Sequence, residues 1–190
     1  MKLKVCGMKY ADNIREVAKL SPDFMGFIFY PRSERYVGED FICPDLPFYI
    51  RRSGVFVNEE IDKVLHIASR NKLEMIQLHG SESPDYCRQI REKGFHVTKV
   101  FLVDELFTIS SVTLWNSSAD FFLFDTRTEG HGGSGKKFDW SVLASYDGPV
   151  PFFIAGGLTP ENLRDVLDVS NPWLRGVDVN SGIEVSPGIK

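Results

Sequence analysis

The sequence contains no run approaching the ~18 consecutive apolar residues that a membrane span requires. Its opening, Met1 followed by the strand-like Lys2-Leu3-Lys4-Val5-Cys6, does not read as a signal peptide. Cysteine is scarce: Cys6, Cys43 and Cys87 are an odd number, lie far apart and form no C-x-x-C pair. That pattern excludes a disulfide framework and carries no zinc signature, so no metal is expected. Positive charge is also short, with 22 Lys and Arg against 26 Asp and Glu for a formal net charge of −4. The scattered basic residues offer no continuous stripe to a nucleic-acid backbone. Low-complexity tracts are absent as well. Together these deficits predict a cytoplasmic protein in a reducing compartment, with neither nucleic acid nor a membrane as partner.

What is present is the composition of an ordinary globule, 43% hydrophobic and 25% charged over 190 residues. That length buries one good core, and a single domain over residues 1–190 is expected. Short apolar, β-branched or aromatic runs alternate with longer amphipathic stretches, the pattern of a parallel sheet wrapped by helices. The strand candidates are Leu3 to Cys6, Met25 to Phe29, Ser53 to Val57, Met75 to Leu78, Val97 to Phe101, Phe121 to Asp125, Phe152 to Ala155 and Gly176 to Val179. Helical candidates fall around Ala11 to Leu20, Glu59 to Asn71, Pro84 to Lys93, Glu105 to Trp115, Asp139 to Ser145 and Pro160 to Val169. In the second of these Ile61, Val64, Leu65 and Ala68 form one apolar stripe. Ser83-Pro84 and Thr159-Pro160 read as a capping hydroxyl followed by proline at the first helical position. Gly38 to Pro47, with two prolines and little periodicity, predicts only a short second helical segment.

Eight βα-like units point to an α/β fold, a closed TM-free (β/α)8 barrel of the TIM type, with an open doubly wound sheet as the alternative. The polar residues and glycines favour the barrel, because they gather at strand ends: Cys6-Gly7, His79-Gly80, Asp125-Thr126, Gly156-Gly157 and Asp178 to Gly182.

Several of these residues could carry chemistry. Cys6 shares a strand face with Lys2 and Lys4; it is either a small buried hydrophobe or a thiol at a barrel mouth that a nearby cation such as Lys4 turns into a base. Asp125 ends the apolar run Phe121-Phe122-Leu123-Phe124. It either caps the following turn or, partly desolvated, serves as a general acid with a raised pKa. The glycines of Ala155-Gly156-Gly157-Leu158 and of Asn180-Ser181-Gly182 leave backbone amides free to approach an anion, and phosphate held after strands seven and eight is common in such barrels. Gly132, Gly133, Ser134 and Gly135 form either a lid or an ordinary surface loop. Arg35 is either a solvated loop arginine or a fork for a carboxylate. A lone strand-end His79 more often makes a structural hydrogen bond than it holds a ligand.

Taken in order, the motifs resemble those of the phosphoribosylanthranilate isomerase family from one end of the chain to the other. They are Lys4-Val5-Cys6-Gly7, Gly26-Phe27-Ile28-Phe29 with Ser33 to Val37, Gly54 to Asn58, Gln77-Leu78-His79-Gly80, Phe124-Asp125-Thr126 with Gly132 to Gly135, Ala155-Gly156-Gly157-Leu158, and Val177-Asp178-Val179 with Ser181-Gly182-Ile183-Glu184. The resemblance implies a cofactor-free Amadori rearrangement of N-(5'-phosphoribosyl)anthranilate in tryptophan biosynthesis, in a monomer or homodimer. It implies Asp125 as general acid and Cys6 as general base, with Arg35 on the substrate carboxylate. Amides near Gly156, Gly157, Ser181 and Gly182 would hold the phosphate, Asp178 would support, and Gly132 to Gly135 would close over the site. Other readings are a related phosphosugar isomerase, or a binding protein that keeps the phosphate cradle without the chemistry. Glu34 stands where the family usually has proline, freeing one backbone dihedral next to Arg35, and Asn180 stands where serine is frequent. The family usually continues past Lys190 into a last helix missing here, which predicts an open apolar strip on the first and last strands unless another surface covers it.

Overall fold

The computed structural model describes residues 1–126 and 138–190. Eight parallel strands close into a barrel: β1 (Lys2–Val5), β2 (Phe24–Ile28), β3 (Arg51–Phe56), β4 (Met75–Leu78), β5 (His96–Val103), β6 (Phe121–Thr126), β7 (Phe152–Ile154) and β8 (Leu174–Val179). Each strand pairs with the next in sequence, and β8 returns to β1 in the register Lys2↔Gly176 to Val5↔Val179. All eight sequence runs are strands, with ends shifted by a few residues, as is usual where the terminal hydrogen bonds lie between strand and loop.

The lumen is filled in layers, as alternation of side chains along parallel strands requires. At its floor Phe24, Met75, Val100, Leu123 and Phe153 form an apolar plug. Phe24 of β2 meets Phe153 of β7 edge-on across the barrel, with ring centroids 5.7 Å apart. Above the plug lies a buried polar layer in which Lys4 is joined to Gln77 and Asp178. The larger core lies outside the barrel, where Phe27, Phe56, Phe122, Phe124 and Phe152 are fully buried among the covering segments.

Three α-helices cover the first half: α1 (Ala11–Lys19), α2 (Ile61–Arg70) and α3 (Pro84–Glu92). Helix α3 begins as its sequence predicts, with Pro84 in the first turn and the Ser83 hydroxyl accepting from the Tyr86 amide. In the second half the coverings are 3-10 segments, Ile109–Trp115, Trp140–Ser145 and Leu163–Asp168. These correct the helical expectation. Each is short, and Ser110, Ser111 and Thr113 in the first compete for backbone hydrogen bonds, so the tighter turn prevails. The Thr159-Pro160 start is displaced: the segment opens at Leu163, and Asn162 Oδ1 instead accepts from the Thr159 amide. The stretch between β2 and β3 has no helix at all, since Pro44 and Pro47 interrupt any ladder.

The expected open strip on β1 and β8 is also corrected. Val5, Val177 and Val179 are all buried, in one cluster with Ile14, Val17 and Ala18 of α1 and with Val166. The last residues fold back over the mouth, where the Lys190 amide donates to Asn13 Oδ1 and Asn13 Nδ2 donates to the Lys190 carbonyl.

Candidate active site

A cavity opens at the carboxyl ends of the strands. Cys6, Arg35, Asp125, Gly156, Gly157, Asp178, Ser181 and Gly182 all line it. Alternation explains the convergence: Cys6 is two residues beyond Lys4 on the inward face of β1, and Asp125 is two beyond the lumenal Leu123 on β6. Gly26 makes room for the thiol, because a Cβ there would stand 2.7 Å from the Cys6 sulfur. Gly156, at φ +83°, holds a backbone conformation that side chains disfavour, and a Cβ at this position would strike Asp125 and Thr126.

Asp125 is recessed, its side chain 18% exposed, with His79 Nε2 3.6 Å from its Oδ2. Burial, reinforced by the negative charge of Asp178, pushes its carboxyl pKa up to about 7, against smaller opposing effects of the Thr126 amide and Lys4. Burial likewise pushes the Cys6 thiol up, while Lys4 pulls it back and Asp178 adds to the rise. Beneath both groups Lys4 Nζ donates to Asp178 Oδ2 at 2.5 Å and to Gln77 Oε1 at 2.6 Å, fully shielded from water. Gln77 Nε2 in turn lies 3.4 Å from His79 Nδ1.

Arg35 is not a solvated loop arginine. It is 9% exposed, and its Nε and Nη2 grip Glu184, the shortest of these bonds being 2.6 Å. Glu184 also accepts from Lys190 Nζ at 2.7 Å and from the Gly188 amide at 3.0 Å. The glutamate thus aims the arginine in place of the rigidity that a proline at position 34 would supply. Glu184 and Lys190 were missed as site residues, although Glu184 ends the last motif. Tyr30, Ser33, Gln77, His79, Thr126 and Asn180 also line the cavity. Gly132, Gly133, Ser134 and Gly135, expected to form a lid, lie outside the described residues.

A family model described as N-(5'-phosphoribosyl)anthranilate (PRA) isomerase matches residues 3–190. The chain belongs to this isomerase family. An N-(5'-phosphoribosyl)anthranilate isomerase of Parabacteroides distasonis is 42% identical over 197 residues, covering 100% of this chain and 88% of the relative. Among solved structures, phosphoribosyl anthranilate isomerase from Thermotoga maritima superposes with a TM-score of 0.85 at 38% identity, over 100% of this chain and 92% of that one. A family structure in complex with reduced 1-(o-carboxyphenylamino)-1-deoxyribulose 5-phosphate has a TM-score of 0.81 at 34% identity, with 100% and 92% covered. Membership of the isomerase family accords with the closed barrel and with the strand-end motifs that line its mouth.

Proposed function

We propose that the chain catalyses the family's reaction, the Amadori rearrangement of N-(5'-phosphoribosyl)anthranilate to 1-(2-carboxyphenylamino)-1-deoxyribulose 5-phosphate, a step of tryptophan biosynthesis. The Asp125 carboxylic acid gives its proton to the furanose ring oxygen as the C1'–O bond breaks. The anilino nitrogen supplies the electron pair, leaving an open-chain iminium ion. The Cys6 thiolate then takes the C2' proton, and the C–H electrons form the C1'=C2' bond and neutralise the nitrogen. The resulting enolamine becomes the ketone when C1' gains a proton and the 2'-hydroxyl loses one. The iminium charge acidifies the adjacent C–H bond, so a thiolate of modest basicity suffices.

The observation that carries this reading is that Cys6 and Asp125, from opposite halves of the chain, line one cavity in which burial keeps Asp125 protonated up to about pH 7. A carboxyl that is ionised at pH 4 could not be the acid near neutrality. Gly156, Gly157, Ser181 and Gly182 border the same cavity, and their amides are assigned to the phosphate. Arg35 is assigned to the anthranilate carboxylate, with Glu184 holding its guanidinium in line. Asp178 supports from below.

The test follows the fluorescence of phosphoribosylanthranilate as the substrate is consumed by the wild type, Cys6→Ser and Asp125→Asn. Each variant should lose at least a hundredfold in turnover, a usual size for a general acid or base. Undiminished turnover in either rejects its role, and no turnover by the wild type leaves the phosphate-binding reading in its place.

A further inference from the structure

Lys4 sits at a point where a lysine is expensive. Its side chain is 3% exposed in the centre of a barrel lumen, above an apolar plug that offers it nothing. Two anchors hold it: Asp178 Oδ2 from the neighbouring β8 and Gln77 Oε1 from β4, farther round the barrel. Both lie on the inward face one layer below the mouth. Cys6 lies two residues on along the same face of β1, directly above this ammonium, whose charge favours ionisation of the thiol. Two groups from two other strands therefore converge on this nitrogen just below the thiol. Asp178 Oδ1 has no hydrogen-bond partner among the described residues, so the carboxylate faces Lys4 by a single oxygen.

We propose that Lys4 is a positioning residue for the reaction: its buried ammonium, fixed by Asp178 and Gln77 one layer beneath Cys6 on the same face of β1, favours the thiolate form of the base. This rests on the assignment of Cys6 as the base. Burial alone favours the neutral thiol, and the ammonium is the strongest opposing influence at this sulfur. Asp178 acts in both directions, since it fixes Lys4 in place while its own charge discourages ionisation of Cys6 and of Asp125.

The consequence is visible in the pH profile. The reactive form needs Asp125 protonated and Cys6 ionised, the reverse of the order in which they titrate, because the carboxyl loses its proton near pH 7 and the thiol above its ordinary value of 9.0. The profile of kcat/KM then rises through the Asp125 pKa and falls through that of Cys6. Its plateau drops tenfold for each unit by which the two separate.

The experiment measures kcat/KM against pH for the wild type, Lys4→Met, Asp178→Asn and the double variant. It pairs this with the ultraviolet thiolate titration of each protein, taken as the difference from its own Cys6→Ser counterpart. Lys4→Met should lower kcat/KM about tenfold or more at neutral pH and move the alkaline limb and the thiolate titration up by about one unit. Asp178→Asn should move both down. Because Lys4→Met strands a buried carboxylate and could fail to fold, the double variant is compared with Asp178→Asn, where the limb should again move up. Loss of activity with an unmoved limb and unmoved titration in both comparisons would overturn the role of Lys4. Full turnover by Cys6→Ser would instead overturn the assignment of the base, a separate outcome.

Discussion

Replacing Asp125 by asparagine should make the protein more stable as well as inactive, and the gain should depend on pH. The carboxyl has a pKa of about 7 in the fold against an ordinary 3.8. Between those values the folded chain binds a proton that the unfolded chain has released, so stability falls as pH rises from one to the other. About three units at ~1.4 kcal/mol each give a cost of about 4 kcal/mol for carrying the ionised group above pH 7. Asparagine has a similar shape and no charge, so the variant escapes that cost. Urea unfolding of the two proteins should therefore give nearly equal stabilities at the ordinary carboxyl pKa of 3.8 and a separation of several kcal/mol, in favour of Asp125→Asn, in mildly alkaline buffer. Charged groups facing Asp125 are Asp178, Lys4 and His79, so the comparison is repeated in a His79→Gln background to remove the imidazole. A constant difference across the pH range would show that the carboxyl is not desolvated as the cavity geometry implies.

Two other substitutions test the surroundings of the site. Arg35→Lys keeps the charge and loses the planar fork that spans both oxygens of a carboxylate; KM for phosphoribosylanthranilate should rise about tenfold or more in steady-state assays, with kcat changed far less. Lys99, 2% exposed on the outer face of β5, donates to Glu82 at 2.9 Å and to the Gly80 carbonyl at 2.6 Å. Lys99→Met leaves Glu82 buried without its counter-ion, held only by the Asn58 and Gly80 amides, and should cost about 3 kcal/mol in urea unfolding.

The strands were legible because parallel strands covered on both faces read as apolar runs of fixed length, and their ends were legible because polar residues and glycines interrupt those runs. Cys6, Asp125 and the Gly156-Gly157 turn could be found the same way. The helical coverings of the second half were harder: Glu105 to Trp115 has a helix-like spacing of apolar residues, but its hydroxyl-bearing side chains bond locally and Ile109–Trp115 winds as a 3-10 segment. Least legible were the charge pairs. Arg35 with Glu184, and Lys4 with Asp178, join residues near opposite ends of the chain, and no periodicity or spacing carries that information. The last motif did contain Glu184, so an acidic residue that matches a family pattern without an assigned task was the available clue. His79 was read as structural, and its place beside Asp125 follows only from closing the barrel.

The seam at which β8 meets β1 sets Lys4 beside Asp178. The two residues stand on the first and last strands of the barrel, so the ammonium beneath Cys6 meets its counter-ion only when those strands join. A barrel left open at this seam would hold neither charge against the other, so closing the ring and completing the polar layer beneath the thiol are a single event.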